Sequence, residues 1–399
     1  MEGCMSVKKV LLTVLLILAA LTVPFVLFCP LFTYEPLPDN VFYPAASSRS
    51  PVYEFSKTDA LSVSAKSAIL ADAESLCVFY HKAPKERAGM ASTTKIMTGL
   101  LAIENLPFEK TVTVTEEAVG VEGSSIYLEK GEKMSVGSLV YGLLLESGND
   151  AAIALACAVS GSTEAFVRLM NKKAAELGMK NTNFANPHGL SSDMHYTTAE
   201  DLLILSASAL KNSTFEKVVS TGKAVFTDGE KTRYYYNHNK LLGRYEGMTG
   251  VKTGYTKSTG RCLVTAAKRN GVYLIAVTLN APDNLNDHIK MLDHGFKTAK
   301  KETLLRYGEY NILVPVRGGT KRTATLCSSD SISVSLPDAS PVVAMLNTPF
   351  ELYAPLNKGD VLGEVVFTLN GVRIASAPLY VSEDIPLKKV SLITKIKKE

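Results

Sequence analysis

A serine followed three residues later by a lysine can do acyl chemistry when both lie on one helix face. The amine then reaches the hydroxyl and can take its proton. The pattern occurs at Ser6 to Lys9, Ser92 to Lys95 and Ser220 to Lys223. Only Ser92 opens an apolar helical stretch, Ser92-Thr93-Thr94-Lys95-Ile96-Met97-Thr98-Gly99-Leu100-Leu101. Ser6 belongs to an export-type segment, and Ser220 falls between a helix end and a strand. Lys95 can act as a base only if burial or a second cation lowers its pKa. A helix N-terminus at Ser92 would also aim backbone N–H groups at a developing oxyanion. Taken alone, Ser92 fits better as an N-cap beside a surface lysine.

Two further groups change that balance. Ser147-Gly148-Asn149 breaks two apolar helical stretches, where polar side chains can project into a cleft. Its plain alternative is a helix stop and restart, with Gly148 as C-cap and Asn149 as the next cap. Lys252-Thr253-Gly254 follows Gly250-Val251 and precedes a hairpin, so it is expected on a strand. A glycine there lets a substrate backbone approach the strand edge; the alternative is a solvated edge strand. The three groups together, in this order, resemble the signature of serine acyl-transfer enzymes that react with penicillin. Truncating Lys95 is expected to cost acylation and to spare the fold. His188 is expected to shape a cleft rim, and His238 is read the same way. The two histidines have no metal-ligand spacing, and neither a metal nor another cofactor is expected.

These groups need elements to hold them. Ser67–Ala71 and Cys77–His81 read as paired strands, and Thr111–Thr115 as a short strand. Thr94–Asn105, Val136–Leu145 and Ala151–Val159 read as apolar helices. Ser162 caps a helix that ends near Gly178, and Thr197 with Glu200 forms a capping box before Leu202–Leu210. Arg261–Arg269 and Val272–Leu279 are strands joined by Asn270-Gly271, a tight-turn signal, and a helix follows over Leu285–Lys300. From about residue 305 the chain turns to short strands, Ile312–Val316, Ile332–Leu336, Val342–Leu346, Glu364–Leu369 and Arg373–Ala377, with a second turn at Asn370-Gly371.

The 399 residues are 46% hydrophobic and 21% charged, which excludes disorder across the chain. A net charge of +4 is too weak a balance for nucleic-acid binding. The six cysteines include no Cys-x-x-Cys pair, and Cys77, Cys157, Cys262 and Cys327 are expected as free thiols. Lys8 and Lys9 precede an uncharged run from Val10 to Phe32, about 34 Å long as a helix. That is a signal peptide or a signal anchor over 1–33, so the rest of the chain is expected outside the membrane. A Pro- and Ser-rich linker over 34–56 follows. The basic tail 386–399 fits either an amphipathic membrane-surface helix or a solvated end.

The chain resembles the low-molecular-mass penicillin-binding proteins, the D-alanyl-D-alanine carboxypeptidase family. The resemblance rests on Ala91–Thr98, Glu146–Ala151, Phe184–Leu190, Gly250–Thr256 and Leu356–Gly363, and spans about residues 57 to 385. It implies an α/β (α+β) DD-peptidase-like transpeptidase domain over 57–300, an antiparallel sheet with a helical subdomain. A small all-β domain over 301–385 follows. It implies a peptidoglycan stem peptide ending in D-Ala-D-Ala as substrate, β-lactams as acylating ligands, and a place on the outer face of the bacterial cytoplasmic membrane. By this resemblance Ser92 is the nucleophile, Lys95 the base and Ser147 the proton relay. Asn149, Lys252, Thr253, Gly254 and Tyr255 bind substrate, with the Ser92 and Tyr255 amides as oxyanion hole. Some relatives place an arginine after the second hairpin strand to bind the carboxylate. Here Leu279-Asn280-Ala281-Pro282 stands there, so carboxylate binding is expected to rest on Lys252 and Thr253. A β-lactamase is the nearest alternative, but a class A enzyme needs a deacylating glutamate, and Asn183-Phe184-Ala185-Asn186 offers none. A non-catalytic wall-binding protein is the alternative of another class; all the motif side chains are present, which argues against it.

Overall fold

The computed structural model describes residues 61–337, 342–369 and 371–389. The N-terminal apolar run, the linker, Asn370 and most of the basic tail lie outside the described residues. Among the described residues no single helix is long and apolar enough to cross a membrane.

The chain opens on the hairpin of β1 (Ser67–Asp72) and β2 (Val78–Lys82). Two small antiparallel pairs come next, β3 (Thr111–Thr113) with β4 (Lys133–Ser135) and β5 (Lys223–Asp228) with β6 (Lys231–Tyr236). Then β7 (Met248–Thr256), β8 (Gly260–Arg269) and β9 (Val272–Leu279) join the first hairpin in a five-stranded antiparallel sheet, order β2-β1-β9-β8-β7. Asn270 and Gly271, at φ 50° and 79°, form the tight turn between β8 and β9. All six residues of β1 are buried, because the sheet is covered on both faces. This placement leaves β7 as an edge strand.

Seven α-helices complete this part: α1 (Lys95–Asn105), α2 (Val136–Leu144), α3 (Asn149–Ser160), α4 (Thr163–Glu176), α5 (Ala199–Leu210), α6 (Ser213–Ser220) and α7 (Asn284–Thr298). Every residue of α2 is buried, so it is a core helix with no polar face. It packs with Leu100 and Leu101 of α1 and Leu155 of α3 in one apolar cluster on one side of the sheet. Met291 and Leu292 of α7 pack with Leu70 and Leu274 in a second cluster. The motif segments sit between the first cluster and the sheet edge.

Past α7 the fold is all β. β10 (Ala299–Leu305), β11 (Asn311–Arg317), β12 (Thr323–Ser328), β13 (Ile332–Pro337), β14 (Val342–Asn347), β15 (Leu352–Tyr353), β16 (Val361–Leu369) and β17 (Val372–Val381) follow in turn. β10 pairs with β13, and the other six form one sheet in the order β14-β16-β17-β12-β11-β15. Cys77, in the turn before β2, buries with Leu305, Val334 and Leu336, so the two parts share an apolar contact.

Several local expectations shift. The cap of α5 is Thr198, whose hydroxyl accepts from Asp201 N, and not Thr197. The Thr197 hydroxyl meets Thr182 at 2.7 Å and its N–H donates to Ala88 O at 2.9 Å, so the helix starts one residue later. Ser162 does cap α4, accepting from Ala165 N. Gly148 is the N-cap of α3, and Asn149 is its first residue. The α6 helix, the β5–β6 hairpin, β10 and β12 add to the elements expected from the sequence; α6 is short but buries Phe215, Val218 and Val219 on one face. Cys77, Cys157, Cys262 and Cys327 are free thiols.

Candidate active site

Ser92 does not open an α-helix. It sits in a single 3-10 turn, Ala91–Thr94, and α1 begins at Lys95. Ala91 takes φ 47°, a left-handed conformation that side chains other than glycine rarely adopt. The turn is pinned from beneath. Thr93 Oγ1 donates to Met90 O at 2.6 Å and Thr94 Oγ1 to Ala91 O at 2.7 Å. His195 Nδ1 accepts the Ala185 N–H at 3.0 Å, which leaves its proton on Nε2 to donate to Thr94 Oγ1 at 2.7 Å. Burial holds His195 neutral, its pKa pushed down to about 4.

Lys95 is fully buried. Its Nζ donates to Asn149 Oδ1 at 2.6 Å and to His188 O at 2.7 Å, and lies 3.0 Å from Ser92 Oγ. Burial drives its pKa well below the usual lysine range, the positive charge of Lys252 drives it further, and Asp150 opposes them. A neutral amine has two N–H bonds and one lone pair. The two carbonyl oxygens can only accept, so they take both N–H bonds, and the lone pair is left facing the Ser92 hydroxyl.

The second motif stands across from Lys95. Ser147 takes φ 65°, and its hydroxyl has no hydrogen-bond partner among the described residues. Asn149 is held on three sides: Oδ1 by Lys95, Nδ2 by Glu122 O at 2.5 Å, and its N–H by Ser124 O at 2.7 Å. Asp150 is buried beside it. Its carboxylate accepts from Ser125 Oγ at 2.5 Å, Ile126 N at 3.0 Å and Leu128 N at 3.2 Å, and so folds the 122–128 loop onto Asn149.

The third motif lies on β7, as its sequence context requires. Lys252 is 2% exposed, donates to Thr253 O at 3.1 Å, and is pushed down to about 7 by burial. A Cβ on Gly254 would stand 3.1 Å from both Ser92 N and Thr93 N. The missing side chain therefore makes room for the Ser92 turn, where the sequence led us to expect room for substrate. Tyr255 is 63% exposed. A cleft of about 500 Å³ joins Ser92, Ser147, Thr253, Gly254 and Tyr255, with Arg261 on its wall.

Sequence reasoning missed several members of this site. His188 contributes its main-chain oxygen; its ring, pushed down to about 4 by burial and by Lys95, accepts from Leu190 N. Gly189 and Asp150 lie inside the segments Phe184–Leu190 and Glu146–Ala151 but had no role assigned to them, and His195 and Arg261 carried no motif signal. His238 lines the cleft and pairs with Glu146 at 3.2 Å. Among the described residues no group of three or more His, Cys, Asp and Glu could hold a metal ion.

Residues 54–283 match the model of the D-alanyl-D-alanine carboxypeptidase family, and residues 300–387 match that of the penicillin-binding protein 5 C-terminal domain. The chain belongs to the D-alanyl-D-alanine carboxypeptidase family. Among its relatives, D-alanyl-D-alanine carboxypeptidase DacF of Bacillus subtilis is 36% identical over 354 residues, covering 86% of this chain and 90% of that protein. DacC of Escherichia coli is 33% identical, covering 82% and 86%. The fold matches the crystal structure of penicillin-binding protein 5 from Haemophilus influenzae with a TM-score of 0.68 at 30% identity, covering 83% of this chain and all of that one. The α/β (α+β) peptidase fold with a following all-β domain, expected from the sequence, is the fold observed.

Proposed function

We propose that this chain is a serine D-alanyl-D-alanine carboxypeptidase that works through an acyl-enzyme on Ser92. The observation that carries the reading is the Lys95 amine, with acceptors on two sides and Ser92 Oγ 3.0 Å away on the third. Lys95 takes the Ser92 proton as Oγ attacks the carbonyl carbon of the penultimate D-alanine. The amides of Ser92 and Tyr255 steady the oxyanion; the close seat of Gly254 against Ser92 N supports that pairing. The peptide C–N bond breaks, and the leaving amine takes a proton through Ser147, beside the Lys95 and Lys252 ammonium groups. Water then hydrolyses the ester and frees Oγ. Asn149 holds the substrate amide as well as Lys95. The open edge of β7, with Lys252, Thr253, Gly254 and Tyr255, takes the peptide as an added strand.

β-Lactams would acylate Ser92 because they mimic D-Ala-D-Ala. The catalytic unit spans 57–300 and the all-β unit 301–385. The apolar run at 1–33 exports the chain and, with the basic tail, keeps it at the outer face of the cytoplasmic membrane. The test is release of free D-alanine from a pentapeptide ending in D-Ala-D-Ala, together with labelling by a fluorescent penicillin. The Ser92→Ala protein should do neither. Labelling equal to wild type would refute Ser92 as nucleophile, and fast turnover of penicillin would make the chain a β-lactamase.

A further inference from the structure

We propose that Arg261 receives the terminal carboxylate of the substrate, a role the sequence gives to Lys252 and Thr253. This rests on the carboxypeptidase reading. An enzyme that removes only the last residue must recognise a carboxylate one residue past the scissile carbonyl, roughly 3.8 Å on along the chain. The cation that does so has to stand beside the open edge of β7, past Ser92. The stretch after β9, Asn280-Ala281-Pro282, offers no cation.

Lys252 is badly placed for the task. It lies on the same strand face as Gly254, which meets the Ser92 turn, and it is buried with its amine donating to Thr253 O. Arg261 lies on the other face. It is the second residue of β8, directly opposite Tyr255, so it shares a face with Tyr255 and Thr253. It is exposed, and it lines the cleft together with Ser92 and Thr253. It makes no ion pair among the described residues, whereas Arg233, Arg269 and Arg317 each have one.

The neighbourhood suits an anion. The first residues of α7, Asn284 and Leu285, line the same cleft, so the positive end of a helix faces it. Two acids stand at that helix end: Asp283, the N-cap, is engaged by Asn286 Nδ2 at 2.8 Å, and Asp287, in the first turn, is buried and accepts from Ser64 Oγ at 2.7 Å and Ala65 N at 3.0 Å. Lys240 also lines the cleft, from the loop that Asn239 ties to Gly250 O. It is a point charge beside the start of β7, whereas Arg261 presents a planar fork that matches a carboxylate.

The test compares a peptide ending in D-Ala-D-Ala as free acid with the same peptide as its C-terminal amide. Wild type, Arg261→Gln, Arg261→Lys and Lys240→Gln full-length proteins are assayed for kcat and KM. Arg261→Gln should raise KM for the acid about 10- to 100-fold, leave hydrolysis of the amide within about twofold, and keep the wild-type melting temperature. Arg261→Lys should recover part of the loss. An unchanged acid-to-amide preference in Arg261→Gln, an equal loss on both peptides, or a collapse of the preference in Lys240→Gln would each overturn the assignment. If Arg261→Gln fails to fold, the Arg261→Lys preference decides, and a wild-type value there overturns it. Wild-type protein that frees neither D-alanine from the acid nor D-alaninamide from the amide would overturn the carboxypeptidase reading and this proposal with it.

Discussion

Gly189 lies with its backbone against the carbonyl of Ala91. A Cβ on Gly189 would stand 2.0 Å from Ala91 O and 2.5 Å from its carbonyl carbon. With φ 96°, Gly189 is also in a conformation that only glycine adopts freely. The contact binds the His188 loop, which supplies an acceptor to Lys95, to the turn that carries Ser92. Gly189→Ala should therefore push Ser92 and Lys95, the proposed nucleophile and base, apart. Acylation by a fluorescent penicillin should fall more than about 100-fold, with a loss of roughly 1–3 kcal/mol in stability. Gly254→Ala, whose Cβ would meet Ser92 N at 3.1 Å, should cost less on both counts. A Gly189→Ala protein that acylates at the wild-type rate would show that the contact does not position Ser92.

Lys95 has a structural part beside the chemical one proposed for it. The sequence led us to expect that its truncation spares the core, but the side chain is fully buried and holds Asn149 and His188 O. Lys95→Ala should lower acylation by about 10²- to 10⁴-fold. It should also lower the melting temperature, because two buried acceptors lose their donor. Stopped-flow acylation and thermal melting on the same sample measure both. An undiminished acylation rate would remove Lys95 from the chemistry.

Asp150 is the hinge pin of the 122–128 loop. Asp150→Ala would leave the Ile126 and Leu128 amides without their acceptor, at roughly 1–3 kcal/mol for each buried group. Its negative charge also raises the Lys95 pKa. The acid limb of any residual activity should then move to lower pH, a shift that loop disorder alone would not cause. Urea unfolding and a pH–rate profile separate the two effects, and an acid limb that stays put would refute the electrostatic part.

Stability should weaken in mild acid. His188 and His195 are pushed down to about 4 and His288 to about 3, in each case chiefly by burial. In the unfolded chain they titrate near 6.5. Below that pH the unfolded state binds more protons than the fold, so stability falls as pH drops from about 6.5 through about 4. Asp72 and Asp201, whose pKa values burial raises, work in the opposite sense at the lower end of that range. Urea midpoints at neutral pH and in mild acid measure the balance. A midpoint that holds steady across the range would show that these histidines do not set acid stability.

Much of the site could be read in the sequence because its parts are local. Ser92 and Lys95 are three residues apart, Ser147 and Asn149 are two, and the Lys252-Thr253-Gly254 run is continuous. Each lies where turn and periodicity signals place a helix start, a helix break or a strand. Asn270-Gly271 marked the β8–β9 hairpin because its backbone angles need those residue types. Other features escaped because their signals are weak or contextual. β5 alternates half-buried and exposed residues such as Lys223, Ala224, Val225 and Thr227, with no clear apolar face. Thr197 and Thr198 are equal candidates for a cap until Thr182 and Ala88 engage the first of them.

Residue types and short-range spacing thus determined, without coordinates, which hydroxyl, amines and amide we propose for the chemistry of this chain. Tertiary structure alone decided that Lys95 is dry, that His188 serves through its main-chain oxygen, that Gly254 seats the Ser92 turn, and that Arg261 faces the cleft. The reason is physical. Solvation, positive φ tolerance and charge pairing depend on atoms brought close in space from distant parts of the chain, and no spacing rule along the sequence carries those distances.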